Sequence, residues 1–145
     1  IGAWGGSMGA ATMIRAAAEF PQIEALVVDS SFSSLNEEID FLAPYPLVNP
    51  MAKLFMGIFL GVNLDSSSPV ALIGKISPRP VFIIQGTGDI VASPESAQKL
   101  YEAAGEPKYL WTEENVIHLG MYLNNPRKHK RRVVDFFDVN LLNKK

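Results

Sequence analysis

The sequence contains no cysteine. This absence excludes disulfide bonds, thiolate metal sites and a cysteine nucleophile, while it leaves the redox compartment open. An excess of one charge is also lacking, because 13 Lys and Arg residues stand against 15 Asp and Glu residues, for a net charge of −2. That balance gives no electrostatic reason to expect nucleic acid as a partner.

Long apolar runs are absent as well. The longest, residues 54–62, falls far short of the ~20 residues that a membrane-spanning helix requires. No secretory signal is visible, and the cytoplasm is the favoured compartment. However, the chain opens with Ile1 rather than Met, so a targeting or anchor segment could precede it. Association with a membrane surface through the basic run 128–132 stays open, although the start of a solvated helix is the favoured interpretation of that run.

The composition fits one globular domain, with 145 residues, 48% of them hydrophobic and 19% charged. Apolar runs of strand length alternate with helical patterns, which predicts an α/β fold with a mostly parallel sheet. Strands are predicted over 1–4, 23–29, 81–85 and 108–112. Helices are predicted over 8–18, 35–42, 51–60, 69–75, 94–104 and 127–142, the last burying Val133, Val134, Phe137 and Leu141.

Residues 5–9, Gly-Gly-Ser-Met-Gly, match the pattern G-x-S-x-G between a strand and a helix rich in small residues. A serine on so sharp a turn is held with its hydroxyl exposed, and we expect Gly5 and Gly9 to be required because side chains there would collide. The backbone amide of Met8, at the helix start, can donate to an oxyanion. Phosphate-binding glycine motifs do not fit residues 2–10. The pattern therefore predicts Ser7 as a nucleophile.

A serine nucleophile needs a base, normally histidine, and the chain has two. His118 follows the last predicted strand, in a loop. His129 lies within the basic stretch 127–132, so we expect it at the surface, where neighbouring positive charge opposes protonation. The order serine, acid, histidine favours His118 as the base.

Two aspartates are candidates for the acid that orients the histidine. Asp89 follows the strand 81–85, and Asp29 ends the strand before it. Both lie at carboxyl ends of strands, where sites in open α/β sheets are found. Asp89 is favoured, because Asp29 is more simply explained by backbone contacts that hold the turn at 30–34. Asp40 and Asp65 are interpreted as surface and capping residues.

Three stretches in this order, residues 5–9, 79–91 and 118–120, resemble the α/β-hydrolase superfamily. Within it the chain is most similar to the serine aminopeptidase-like and dienelactone hydrolase-like hydrolases and to membrane-associated members of the same group. The resemblance spans essentially the whole chain. It implies the C-terminal half of the α/β-hydrolase fold, the family's strands five to eight, with a short cap insertion at about residues 40–65.

The activity implied by this resemblance is acyl transfer. Ser7 would attack a carbonyl carbon, His118 would take and return the proton, and Asp89 would orient the imidazole, with no metal or organic cofactor. Such enzymes draw a second oxyanion donor from a loop after their third strand, which this chain lacks, and losing one donor typically costs ~10²–10³ in turnover. We therefore expect the chain by itself to be poorly folded and inactive, with residues 1–4 as an open apolar edge.

The expected partner is a small-molecule acyl substrate, an ester or thioester with an apolar acyl group. Phe55, Met56 and Phe59 either line the acyl pocket or pack the cap onto the core, and both interpretations stay open. A peptidase acting on short peptides is the alternative within the same mechanism. An alternative of another class is a catalytically silent binding protein, which the intact Ser7, Asp89 and His118 argue against.

Overall fold

In this computed structural model, residues 1–59 and 68–142 are described, and strands alternate with helices as the sequence pattern predicts. The strands are β1 (Gly2–Gly6), β2 (Ala25–Asp29), β3 (Val81–Gly86) and β4 (Lys108–Glu113). The helices are α1 (Met8–Glu19), α2 (Leu35–Leu42), α3 (Val48–Phe59), α4 (Pro69–Leu72), α5 (Pro94–Ala103), α6 (Gly120–Asn124) and α7 (Pro126–Phe137). A 3₁₀ turn, Ile73–Ile76, follows α4, and a π-helical turn, Asp138–Leu142, follows α7.

The four strands form one parallel sheet in the order β1-β2-β3-β4. The register pairs Gly6 with Asp29, Asp29 with Ile84, and Gly86 with Glu113. The carboxyl ends of all four strands therefore reach one edge of the sheet, where the loops that follow them converge. The predicted α/β fold with a parallel sheet is confirmed.

Apolar side chains on both faces of the sheet are covered by helices, which explains why β2 and β3 are buried along their whole length. Alternate residues point to opposite faces, since Leu26 and Val28 belong to one core cluster and Val27 to the other. The first cluster packs under α1, α5 and the 3₁₀ turn, and the second packs under α6 and α7.

The C-terminal region departs from the prediction in three details. Helix α6 was not predicted, and the helix predicted over 127–142 is an α-helix only to Phe137, where the π-helical turn begins. Val134 is 42% exposed instead of buried, and Phe136 is buried in its place. The inward face of α7 runs through positions 129, 133 and 136, which are three and four residues apart, so Val134 lies beside that face.

The segment predicted as a cap insertion, at about residues 40–65, contains the end of α2 and all of α3. Helix α3 begins earlier than predicted, at Val48, and none of its described residues is buried. It contacts α2 through Asn49 Nδ2 and Lys53 Nζ, each 2.7 Å from Asp40 Oδ1, and Asp40 lies at the surface as predicted. Leu60 and Asp65 lie outside the described residues. No helix in the described part of the chain is long and apolar enough to cross a membrane.

Replacing Ile14 by Ala should lower the free energy of unfolding by about 2–5 kcal/mol, because a fully buried isoleucine would leave a cavity in the first core cluster. Ile58, 66% exposed on α3, provides the matched control, and Ile58→Ala should change that free energy by no more than about 0.5 kcal/mol. Urea unfolding of the protein expressed from the complete reading frame that contains this chain measures both. Equal losses would contradict the described core.

Candidate active site

Ser7 occupies the sharp turn between β1 and α1. Its φ of 54° lies in the left-handed region, which non-glycine residues enter only where the surroundings impose it. The Ser7 amide donates to the carbonyl of Asp29 at 2.9 Å, which ties the turn to the end of β2. The amide of Met8 has no acceptor among the described residues, as expected of the first helical turn. A free backbone donor therefore lies next to the Ser7 side chain.

The two glycines of the turn are not equivalent. A Cβ on Gly5 would lie 2.5 Å from the carbonyl oxygen of Gly9 and 2.8 Å from Cα of Ala10, so the close approach of β1 to α1 requires glycine there. Beyond its chain neighbours and the backbone of its own helix, a Cβ on Gly9 would meet no atom of the described residues within 4 Å. The expectation that a side chain would collide at both positions is therefore wrong for Gly9, whose Cα–H side faces open space.

Asp89, in the loop after β3, is 2% exposed and surrounded by donors. Its Oδ1 accepts from the amides of Val91 and Ala92 at 2.8 and 2.9 Å. Its Oδ2 accepts from Nε2 of Gln85 at 3.0 Å. These bonds fix the carboxylate plane and leave Oδ2 facing His118.

His118 lies with Nδ1 2.7 Å from Oδ2 of Asp89. Because that oxygen also accepts from Gln85, it acts as an acceptor, and Nδ1 of His118 carries the proton. In the neutral imidazole, Nε2 is then left with a lone pair and can act as a base. The side chain of His118 is 18% exposed, so the ring is accessible at one edge.

Backbone bonds hold the loops of Asp89 and His118 together. The amides of Thr87 and Gly88 donate to the carbonyls of Glu113 and Val116, each at 3.0 Å, and the Asn115 amide donates to Oγ1 of Thr87 at 3.0 Å. Two loops that are far apart in sequence are thereby joined by bonds that do not involve the side chains of Asp89 or His118.

The loop of His118 also reaches the Ser7 turn. The Leu119 side chain covers Gly6, since a Cβ on Gly6 would lie 3.0 Å from Cδ2 of Leu119. All three residues predicted as nucleophile, base and acid therefore lie at the carboxyl edge of the sheet. Asp89 and His118 are hydrogen-bonded, whereas the Ser7 hydroxyl makes no hydrogen bond within the described residues.

Gln85 is a residue of this site that the sequence analysis did not single out. It is 1% exposed, and its Nε2 donates to Asp89 Oδ2 and lies 3.2 and 3.4 Å from the carbonyls of Gly86 and Ala92. All three neighbours are acceptors, so the orientation of the amide is determined. A polar residue at the end of an otherwise apolar buried strand is the signal that could have identified it.

His129 is buried, so the expectation that it lies at the surface is wrong. It is 4% exposed, and its Nε2 lies 2.8 Å from Oδ2 of Asp29. The spacing of His129 with Val133 and Phe136 places it on the inward face of α7, while its charged neighbours project outward. The helical spacing of these three positions is the sequence signal that indicates a buried His129, in spite of the charged residues around it.

Asp29 differs from its expected role as well. Its carboxylate bonds to His129 and accepts from Oγ of Ser30 at 3.2 Å, rather than holding the turn through backbone amides. Burial raises the pKa of Asp29, while the hydrogen bond from His129 opposes that shift. The chain therefore contains two Asp–His pairs, one at the site edge and one in the interior.

Glu38 lies close to this site on α2. It is 7% exposed, and its Oε2 is buried with no hydrogen-bond partner in the described structure. Burial raises its pKa, the Ser93 amide opposes this, and the nearby carboxylate of Asp89 raises it further. The neighbouring Glu37 differs, because a hydrogen bond from Lys99 holds its pKa below the usual range.

The three residues predicted to contact an acyl group lie on the exposed helix α3. Phe55 and Phe59 are 56% and 70% exposed and stack on each other with ring centroids 4.6 Å apart, and Met56 is half-buried. Among the described residues, none of these three side chains is buried against the core, and both interpretations remain predictions. In the described part of the chain, no three His, Asp or Glu side chains are grouped as metal ligands.

The chain is similar in fold and sequence to known proteins, although no family model matches it. The uncharacterised Bacillus subtilis (strain 168) protein YqkD is 31% identical over 147 aligned residues, covering 95% of this chain and 48% of that protein. The Pyrococcus furiosus esterase Pf2001 superposes with a TM-score of 0.72 and 25% identity, over 97% of this chain and 54% of its own. The chain thus spans about half the length of both.

A third similarity concerns the fold alone. A puromycin-hydrolysing peptidase of Mycobacterium tuberculosis superposes with a TM-score of 0.77 at 20% identity, over 95% of this chain and 21% of the peptidase. The chain has the α/β-hydrolase fold. In this fold, the strand ends that carry Ser7, Asp89 and His118 form the candidate active site.

Gly5→Ala should destabilise the protein by about 1–3 kcal/mol or more, because the added methyl group meets the backbone of α1 rather than a movable side chain. Gly9→Ala, its matched control four residues away, should be neutral or stabilise by up to about 1 kcal/mol, since the helix gains alanine without a contact. Urea unfolding distinguishes the two. A destabilising Gly9→Ala would contradict the open space at that position.

Glu38→Gln should raise the melting temperature relative to the wild type, and the difference should grow as the pH rises above the ordinary range of a glutamate carboxyl. A carboxyl whose pKa is raised by folding contributes its full stability when protonated and loses it as the pH rises through the folded-state pKa. The side-chain amide of glutamine cannot ionise, so the variant does not lose this stability as the pH rises. Calorimetry at several pH values measures the difference.

Glu37→Gln is the matched control with the opposite sign. Its pKa is lowered by Lys99, so the ionised carboxylate stabilises the fold at neutral pH and loses that contribution as the pH falls. The variant should therefore be less stable than wild type near pH 7 and equal to it in acid. The same pH dependence for both variants would refute the burial of Glu38.

Proposed function

We propose that this chain carries the nucleophile, base and acid of a serine hydrolase that cleaves a carboxylic ester or a related acyl bond. The supporting observation is the bond between Asp89 Oδ2 and His118 Nδ1, 2.7 Å long, at the edge of the sheet where Ser7 occupies a left-handed turn. That bond leaves His118 Nε2 as a free base on the loop that packs over Gly6, next to the serine.

The proposed reaction proceeds in two acyl-transfer steps. Ser7 Oγ attacks the carbonyl carbon while its proton passes to Nε2 of His118, and Asp89 stabilises the imidazolium. The Met8 amide donates to the oxyanion of the tetrahedral intermediate. The intermediate collapses when the leaving alkoxide takes the proton from His118. Water then attacks the acyl-serine with His118 as base and releases the acid. None of these steps needs a metal or an organic cofactor.

The proposed substrate is a small ester with an apolar acyl group. Phe55 and Phe59 offer exposed aromatic surface on α3, and Met56 lies beside them, so this helix could contact an acyl chain. Transfer of such a chain from water to apolar side chains contributes about 0.8 kcal/mol per methylene. A preference for longer acyl chains follows from this assignment.

Labelling with a fluorophosphonate probe tests the proposal, because the probe reacts with serines that a neighbouring base activates. The complete protein should be labelled, and both Ser7→Ala and His118→Ala should abolish labelling. Ser77→Ala is the matched control, because Ser77 is exposed and its hydroxyl donates to the Glu106 carbonyl. It should be labelled like wild type.

Labelling that persists in Ser7→Ala would contradict the nucleophile assignment. No labelling of a folded wild-type protein would instead favour a catalytically silent binding protein of the same fold. Circular dichroism of each variant separates loss of chemistry from loss of structure.

A further inference from the structure

A chain of hydrogen bonds runs from α7 to the loop of His118, through residues that the proposed reaction does not use. His129 Nε2 lies 2.8 Å from Asp29 Oδ2. Ser30 Oγ donates to Asp29 Oδ1 at 3.2 Å. The amide of Leu119 donates to the same Ser30 Oγ, also at 3.2 Å. Ser30 Oγ, the last acceptor in this series of hydrogen bonds, therefore holds the amide of Leu119, the residue directly after His118.

The direction of each bond follows from the groups involved. A serine hydroxyl has one hydrogen, and the amide of Leu119 can only donate, so the Ser30 hydrogen must point to Asp29. Asp29 in turn is held by the ring of His129. Asp29 and Ser30 are completely buried and His129 is 4% exposed, so water does not compete for these bonds. The orientation of the hydroxyl thus depends on the aspartate and the histidine behind it.

The backbone at both ends of the last bond is strained. Ser30 and Leu119 have φ values of 52° and 54°, and neither is glycine. Such conformations cost on the order of 1–3 kcal/mol each and persist only where the surroundings impose them. The bond between these two residues is one of the contacts that impose them.

The ring of His129 is itself immobilised by aromatic neighbours. The rings of Trp4 and Tyr122 meet it edge-on, with centroids 6.2 and 5.5 Å away, and Trp111 lies at 6.2 Å. Packing of apolar side chains does not explain why an aspartate and a histidine are buried here, because burying polar groups costs free energy unless every group is hydrogen-bonded. The side-chain bonds of Asp29 lead instead through Ser30 to the loop of His118. The backbone carbonyl of Asp29 separately accepts from the Ser7 amide at 2.9 Å.

We propose that His129, Asp29 and Ser30 are positioning residues that hold the Leu119 amide, and through it the ring of His118, in place between Asp89 and Ser7. This inference rests on the proposed serine-hydrolase function. The three residues touch neither the substrate nor the reacting atoms. They act by limiting the freedom of the loop that carries the base.

Ser30→Gly in the complete protein tests the inference with the same fluorophosphonate probe. Glycine accepts a φ of 52° without strain, so the variant removes the hydroxyl while it favours the backbone conformation. The maximal labelling rate at saturating probe should fall ~10-fold or more, since a misplacement of about 1 Å can cost on the order of 100-fold. The probe concentration for half-maximal rate should not change.

Ser31→Ala is the matched control, because Ser31 is also buried but its hydroxyl donates only to the carbonyl of Phe32. It should be labelled at the wild-type rate. An unchanged maximal rate in Ser30→Gly, with wild-type labelling intact, would overturn the inference while leaving the proposed function standing. If the wild type itself is not labelled, the proposed function fails instead.

A double-mutant cycle tests whether the three residues act as one chain. His129→Phe keeps an aromatic ring among Trp4, Trp111 and Tyr122 but removes the bond to Asp29. Combined with Ser30→Gly, it should slow labelling no further than Ser30→Gly alone. If the losses of labelling rate in the two single variants add fully in the double variant, His129 does not act through Ser30.

A measurement on the wild type covers the case in which the variants do not fold. The amide of Leu119 is hydrogen-bonded to a buried acceptor, so it should exchange with deuterium at least ~10-fold more slowly than a free loop amide. Exchange at the rate of an unprotected amide would overturn the inference without any substitution.

Discussion

The parallel register of the four strands is the constraint on which every feature of the candidate site depends. It places the ends of β1, β2 and β3 level with one another, as the pairing of Gly6 with Asp29 and of Asp29 with Ile84 shows. Each strand end then supplies one group to the same edge. Ser7 follows β1, Asp29 ends β2 and Asp89 follows β3. A shift of one residue in any strand would turn its side chains to the opposite face and separate these groups.

Buried polar bonds then complete what the register begins. The carboxylate of Asp89 is satisfied by two backbone amides, Gln85 and His118, and that of Asp29 by Ser30 and His129. Groups buried in this way resist displacement, because an unpartnered polar atom in the interior costs about 1–3 kcal/mol. The rigidity of the site is thus supplied by side chains that lie beneath it.

The two Asp–His pairs are chemically alike and differ in their surroundings. The His118 side chain is 18% exposed at the edge of the sheet, whereas that of His129 is 5% exposed and enclosed by aromatic rings. A base must reach its substrate to act, so only His118 has the access that proton transfer requires. His129 has a similar aspartate partner but lacks that access, and its bonds serve the architecture instead.

The amino-acid sequence was sufficient to predict the fold class and the positions of the strands, because apolar runs and helical periodicity are local properties of the chain. It also determined where a sharp serine turn would fall, since the residues 5–9 carry their own signal. The roles of Ser7, Asp89 and His118 as catalytic residues were predicted from their order and remain predictions. The bond between Asp89 and His118 is what the structure adds to them.

Which polar residues meet in the interior depends on the folded structure, because the partners are distant in sequence. His129 and Asp29 are 100 residues apart in sequence, and Leu119 is 89 residues from Ser30. The burial of a residue depends on which face of its helix meets the sheet. The charged neighbours of His129 predict an exposed residue, whereas its position on the inward face of α7 buries it. The role of Gln85 was not predicted, because it depends on an acceptor, Asp89 Oδ2, that folding brings next to its amide. Local sequence patterns specify the helices and strands. The hydrogen-bond partners of buried polar residues are selected by their removal from water, which is a property of the assembled fold.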